Sequence, residues 1–193
     1  MKHPGNVLII GLFLLGSHAS SVAEALDPAQ AIPLFLKIVS YDQSFQGGPD
    51  RTVTVYLPYD RREAPSYEQY RVAQRYFEKN ADLTVLGSRI RFQPVCCDSL
   101  RTIVDQLSPD DYNIMMLTSL NEEQTRLLAD LKSGTRIRTF AFDAVQIPFG
   151  VAVSVRPDEK KNAIIVNLAA AQSEGSRFGA QLLRLCEIWE GKS

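Results

Sequence analysis

The sequence predicts an α/β protein. It is a single domain built as a three-layer sandwich, with helices on both faces of a mainly parallel sheet and an antiparallel hairpin near the C-terminus. Three observations carry this. Short runs of β-branched and apolar residues alternate with stretches of helical apolar spacing, the order that a parallel sheet with crossover helices requires. The last two strand candidates are separated only by the polar run Arg156-Pro157-Asp158-Glu159-Lys160-Lys161, which leaves room for a turn and nothing more. The 193 residues are 45% hydrophobic with a net charge of −1, enough for one core. That balance is too even for a nucleic-acid or anionic-membrane partner, both of which call for a basic face.

Residues 1–25 read as a signal peptide. Lys2 gives a basic start, 7–15 is an apolar run broken only by Gly11, and Ser17-His18-Ala19 and Ala23-Glu24-Ala25 place small residues where a signal peptidase reads them. The run falls well short of the ~20 residues that a membrane span needs. The first cysteine is Cys96, so no lipid anchor is expected. The expectation is a soluble periplasmic domain over 26–193, with no membrane span after cleavage. Cleavage would remove His3 and His18, the two histidines of the chain. Ser-His-Asp and Cys-His nucleophile pairs and histidine-ligated metals are thereby excluded.

The elements follow in order. Asp27 before Pro28 marks a helix start, because aspartate caps and proline is tolerated at the first helical position. Ile32, Leu34, Phe35, Leu36, Ile38 and Val39 make that helix strongly apolar. Gln46-Gly47-Gly48-Pro49-Asp50 is a loop. Over 52–57, Val53, Val55 and Leu57 alternate with Thr54 and Tyr56, a first strand that Pro58 is expected to end. Arg61 and Arg62 follow as a solvated charge pair. Ser66 and Gln69 have capping-box spacing, and the helix to 80 carries Tyr67, Tyr70, Ala73 and Phe77 on one face. Ile90 and Phe92 alternate with Arg89, Arg91 and Gln93 in the next strand, whose Pro94 belongs at an edge or exit. Leu100, Ile103, Val104 and Leu107 have helical spacing. Ile114, Met115 and Met116 suit a central strand buried on both faces. Leu127, Leu128 and Leu131 mark a helix over 121–132, Ile137 opens a strand to 142, and 143–150 reads as an irregular loop. The hairpin pairs 151–155 with 163–166.

Asn167 is placed to cap a short helix after the hairpin, and Gly175 to end it in a left-handed conformation. Beyond Ser176, residues Phe178, Leu182, Leu185, Cys186 and Trp189 recur as one apolar helical stripe. The expectation is a long amphipathic helix, with Phe178, Leu182, Leu185 and Trp189 as its core or interaction stripe. The stretch Asn167-Leu168-Ala169-Ala170-Ala171, the spacer ending in Glu174-Gly175 and the run Arg177-Phe178-Gly179-Ala180-Gln181-Leu182-Leu183-Arg184-Leu185 resemble the C-terminal signature of the YfiR-like family. These are small secreted bacterial proteins, typified by the periplasmic repressor of a membrane-bound diguanylate cyclase. The resemblance follows the element order over nearly all of 26–193. It implies an interaction protein that holds the periplasmic part of a membrane signalling protein inactive, with the first and last helices as candidates for that contact or for a homodimer seam. The chain departs from the family at Ile147-Pro148-Phe149-Gly150, where members commonly carry a glycine pair.

Open α/β sheets bind ligands beyond the carboxyl ends of their strands. Asp60, Asp98 and Asp143 fall there and would suit Mg²⁺ as a cluster, yet each is also an ordinary turn or cap residue. Neither G-x-G-x-x-G after the first strand nor G-x-x-x-x-G-K-S/T occurs, so nucleotide phosphates have no glycine cradle. No catalytic, cofactor-binding or metal-ligating set emerges. Among the three cysteines a Cys96–Cys97 bridge would strain the peptide between them. The expectation is that Cys186 pairs with Cys96 or Cys97; reduced, Cys186 would be a small core residue. The function expected is regulation, by repression, of a membrane-bound signalling enzyme such as a diguanylate cyclase, without turnover of its own. The alternative is a small-ligand-binding module resembling one lobe of a periplasmic solute-binding protein. An exposed apolar surface favours the first, a pocket with convergent polar groups the second.

Overall fold

The computed structural model describes residues 25–101, 107, 111–131, 135–158 and 161–191. The expected signal peptide lies outside them except for Ala25, and so does most of the helix expected after Leu100. Among the described residues no helix is long and apolar enough to cross a membrane.

Eight strands form one sheet: β1 (Thr52–Tyr59), β2 (Thr84–Val85), β3 (Ser88–Cys96), β4 (Tyr112–Leu117), β5 (Ile137–Ala141), β6 (Val153–Arg156), β7 (Ala163–Val166) and β8 (Cys186–Ile188). Their order across the sheet is β2-β3-β1-β4-β5-β6-β7-β8. β1 runs parallel to β3 and β4, β4 to β5, β5 to β6 and β7 to β8. The hairpins β2–β3 and β6–β7 are antiparallel. The helices are α1 (Pro28–Val39), α2 (Ala64–Lys79), α3 (Glu122–Leu131), α4 (Leu168–Ser173) and α5 (Ala180–Leu183).

Side-chain alternation along the strands divides the core in two. Val53, Val55, Leu57, Ile114 and Met116 face Ile32 and Phe35 of α1, Phe77 of α2 and Ala171 of α4. Tyr56, Met115 and Leu117 face Leu128 of α3 and Ile147. Phe35 anchors α1, its ring centre 5.1 Å from Phe140 and 5.8 Å from Phe142. Asp27 caps α1 by accepting from the Ala29 N–H at 2.8 Å, and Asn167 caps α4 by accepting from Ala170 at 3.1 Å. Gly175 then takes φ 84°.

Four expectations need correction. Pro58 does not end β1, because β4 pairs only as far as Tyr56 and the proline's missing donor faces no partner there. Ser66 and Gln69 are not a capping box: α2 begins at Ala64, without a side-chain cap, and both residues serve other bonds. The stretch 143–150 is a short 3₁₀ helix, Ala144–Phe149, started by Asp143 and stopped by Gly150 at φ 95°. The long C-terminal helix is α5, a turn, and β8. Gly179 enters α5 with extended backbone, and β8 then pairs Ile164 with Cys186 and Val166 with Ile188. The outer edge of β7 presents unpaired backbone groups, and pairing them outweighs the helical spacing of the apolar residues.

Leu86 and Gly87 form the tight turn between β2 and β3, with φ 48° and 80°. Such turns favour asparagine or glycine, and a leucine there is strained by about 1–2 kcal/mol. Its side chain is 53% exposed, so little packing offsets this. Leu86→Asn should raise the urea midpoint by about 1 kcal/mol of stability at unchanged m-value. A midpoint that stays put or falls would refute the strain.

Candidate functional site

The crossover from β1 leads to β3 on one side and that from the adjacent β4 leads to β5 on the other, so connections leave the carboxyl ends of these two strands in opposite directions. Such a reversal opens a crevice beyond the strand ends. Here the crevice is a cleft of about 740 Å³ between the segment after β3 and α3. Cys97, Leu100 and Leu127 supply its apolar lining, and Asp60, Arg62, Asn121 and Gln124 polar groups.

Asp60 is 5% exposed at the end of β1. Arg62 donates to its two oxygens from Nε at 3.2 Å and Nη2 at 3.3 Å. The Arg62 backbone N–H reaches Oδ1 at 2.9 Å, and Gln124 Nε2 reaches Oδ2 at 2.6 Å. The Arg62 guanidinium and N–H, against burial and aided by Gln124, hold the carboxyl down to about 2. Arg62 also reaches Asp98 at 3.5 Å. Arg61 turns to the other face, where its Nη2 donates to the Tyr59 hydroxyl at 3.3 Å. Both arginines are exposed, as expected of a solvated pair, and each also holds a neighbouring side chain. Tyr59 stacks on Tyr70 with ring centres 4.0 Å apart, and Tyr67 closes the trio, 40% exposed.

A directed chain of hydroxyls lies beneath. The Asp60 N–H donates to Ser66 Oγ at 2.9 Å, and Thr118 Oγ1 donates to the Pro58 carbonyl at 2.9 Å. With the Thr118 proton committed, the 2.6 Å contact between the hydroxyls must have Ser66 as donor. Gln69 Oε1 accepts from the Ser119 N–H at 2.6 Å, and Gln146 Nε2 donates to the Thr118 carbonyl at 3.0 Å. Asn121 and Gln124 exchange side-chain-to-backbone bonds of 2.9 and 3.2 Å, a capping box on α3. That N-x-x-Q spacing is a signal the sequence carries for this cap.

The expected site residues do not assemble. All three cysteines are free. Cys96 ends β3 and Cys186 opens β8, six strands apart across the sheet. At ~4.8 Å per strand that is nearly ~30 Å, against the ~4.4–6.8 Å between the Cα atoms of a disulfide. The bridge from Cys186 to Cys96 or Cys97 is therefore withdrawn. Burial pushes the Cys97 thiol up to about 12, which makes it a poor nucleophile. The stripe also dissolves. Phe178 and Leu182 pack on the α1 side, Trp189 packs on the α3 side, and Leu185 is 59% exposed. Asp60 and Asp98 share Arg62, while Asp143 accepts from the Val145 N–H at 3.0 Å. Among the described residues no group of three or more His, Cys, Asp or Glu could hold a metal ion.

Two measurements follow. Because the folded Asp60 titrates at about 2, below the unfolded value near ~3.9, its stabilisation is complete above pH ~4 and disappears as pH falls towards 2. Asp60→Asn should therefore destabilise the protein at pH 7 and flatten its acid unfolding below pH ~4. An unaltered acid limb would contradict the assignment. Thiol titration of the unfolded, unreduced protein should count three free thiols.

No family model matches the chain, and no curated protein does. Solved structures do. The ABC domain in complex with L-Trp from Streptococcus pneumoniae matches at 12% identity and a TM-score of 0.57, over 85% of this chain and 62% of that one. A conserved domain protein from Vibrio cholerae matches at 10% and 0.56, over 84% and 60%. A ligand-free, open substrate-binding protein with adhesive properties from Clostridium difficile matches at 12% and 0.53, over 72% and 55%. This chain thus spans about three-fifths of their length, and at such identities the likeness is one of α/β fold.

Proposed function

We propose that this chain is a small-ligand-binding module of the periplasm, resembling one lobe of a solute-binding protein. Its ligand would sit in the cleft beyond β1 and β4. The observation that carries this is the position of the cleft: a cavity of about 740 Å³ at the reversal point of a parallel sheet, with convergent polar groups over an apolar lining. The substrate-binding protein and the L-Trp complex among the similar structures support the same reading. The repressor reading calls for contiguous apolar surface. The large exposed apolar side chains among the described residues are Tyr67, Leu86, Val145, Leu185 and Ile188, and only the last two are near neighbours in the chain.

Native mass spectrometry of protein purified without denaturation, with a thermal-shift screen of small solutes, tests this. A ligand at a hundredfold its Kd stabilises by about 2.7 kcal/mol. We expect a co-purified small mass or such a shift, abolished by Leu127→Trp, which fills the cleft. Circular dichroism and the unfolding midpoint establish that the variant is folded. Neither a bound mass nor a shift with any solute would overturn the reading.

A further inference from the structure

The chain enters the fold at a fixed point. The Leu26 N–H donates to the Phe142 carbonyl at 3.1 Å, and the Phe142 N–H donates in turn to the Leu117 carbonyl at 3.1 Å. The entering chain therefore lies beside the exits of β5 and β4, at the carboxyl end of the sheet. The Leu26 side chain is 5% exposed and belongs to the core on the α1 side. Asp27 follows as the cap of α1, its carboxylate accepting from the Ala29 N–H and its carbonyl from the N–H groups of Gln30 and Ala31. Leu26 is thus held by its backbone, by its side chain and by the helix that begins after it.

Two small-residue sites precede this anchor, Ser17-His18-Ala19 and Ala23-Glu24-Ala25, each with the pattern a signal peptidase reads. Cleavage after Ala25 would turn the Leu26 nitrogen into a terminal ammonium. Held against Phe142, that ammonium would lose part of its hydration, which is costly for a charge. It would also stand at the positive end of α1, where a cation is disfavoured. The carboxylates nearest to it in the chain and beside Phe142 are engaged: Asp27 caps α1, and Asp143 accepts from the Val145 N–H. Cleavage after Ala19 instead keeps the charge six residues along the chain from the anchor. Ala19 is also the nearer to the apolar run, four residues beyond Leu15 where Ala25 is ten.

We propose that a signal peptidase hydrolyses the bond between Ala19 and Ser20, so that the mature chain is 20–193. Water supplies the hydroxyl of the new Ala19 carboxyl group and the proton taken up by the Ser20 nitrogen. His3 and His18 still leave with the leader. The processing site is independent of what the cleft binds.

Intact-mass measurement tests it, on protein released from the periplasm of bacteria that express the full chain. The mass should be that of a chain beginning at Ser20. A chain beginning at Leu26, or the uncleaved chain, would overturn the proposal. Ala19→Leu should abolish the Ser20 product, because a bulky side chain replaces the small one next to the cut bond. Ala25→Leu should leave it unchanged, and loss of the Ser20 product in that variant would count against the assignment. The physical reason is tested on two chains freed from a fusion tag, one beginning at Ser20 and one at Leu26. An unfolded α-amino group titrates near ~7.7–8.0, so at about pH 6 the Leu26 chain must carry its charge into the fold. Its thermal midpoint should then lie about 2–4 °C or more below that of the Ser20 chain. The gap should narrow by about pH 9, where the amine is neutral in both states. Equal midpoints at the lower pH would refute the cost of the buried terminus. A gap that ignores pH would refute it too, since it would come from lost contacts and not from charge.

Discussion

A carboxylate buried at the end of a central strand has to be satisfied from several directions, and here that requirement assembles the carboxyl edge of the sheet. Asp60 takes Arg62 from its own loop and Gln124 from α3. Its backbone N–H begins the hydroxyl chain through Ser66 of α2 to Thr118 after β4. One residue thus links β1, α2, α3 and the exit of β4. An unpartnered buried charge costs several kcal/mol, so these groups hold together or fail together. The base of the cleft is fixed by hydrogen bonds, and the apolar residues shape its walls.

The amino-terminal side of the sheet is closed by a comparable arrangement. Asp42, 2% exposed, accepts from the Tyr112 hydroxyl at 2.6 Å and from the N–H groups of Ser44 and Arg177, each at 2.8 Å. Burial raises its pKa, but the Tyr112 hydroxyl and the two N–H groups outweigh that, and the net shift is downward. Burial pushes the Tyr112 phenol upward, which keeps it a donor. The Arg138 guanidinium lies 4.1 Å from the centre of the Tyr112 ring, and Arg138 also donates to Ser44 Oγ. Glu174 accepts from both the N–H and the hydroxyl of Thr139. These bonds join the loop after α1 to the segment after α4, so the first and last helical regions are stitched together at this end.

What was legible in the sequence is what local chemistry decides. The alternation over 52–57, the caps at Asp27 and Asn167, the left-handed Gly175 and the two-faced burial of β4 all stand in the structure. The failures share a cause. The spacing of Phe178, Leu182, Leu185 and Trp189 satisfies a helix, but the edge of β7 was open and the chain was needed there as a strand. Ser66 and Gln69 have the spacing of a cap, but Asp60, Thr118 and Ser119 stand across from them and take their hydrogen bonds. Pairing the cysteines from sequence presumed that the last helix reached the end of β3, a matter of strand order that no local pattern encodes. Of the cleft, Asp60 is legible as a strand-end carboxylate and Asn121 with Gln124 as a cap; that Arg62 and Gln124 bond Asp60 is decided by tertiary placement.

Both faces of this sheet are covered, so its boundaries carry whatever surface chemistry the fold has left. One lateral edge is blunted by β2, which is two residues long. The other ends in β8, three residues long, with Arg156 of β6 and Glu187 of β8 paired at 3.0 Å over the intervening β7. Short strands offer little template to another chain. The amino end is tied by Asp42, Tyr112 and Arg138. The carboxyl end differs in kind: Asp60 is satisfied, and Glu63, Glu123 and Asp130 line the cavity together with Arg62, Arg101 and Arg126. The amino end is thus closed by hydrogen bonds, whereas the carboxyl end opens into an apolar-lined cavity at the reversal point of the sheet.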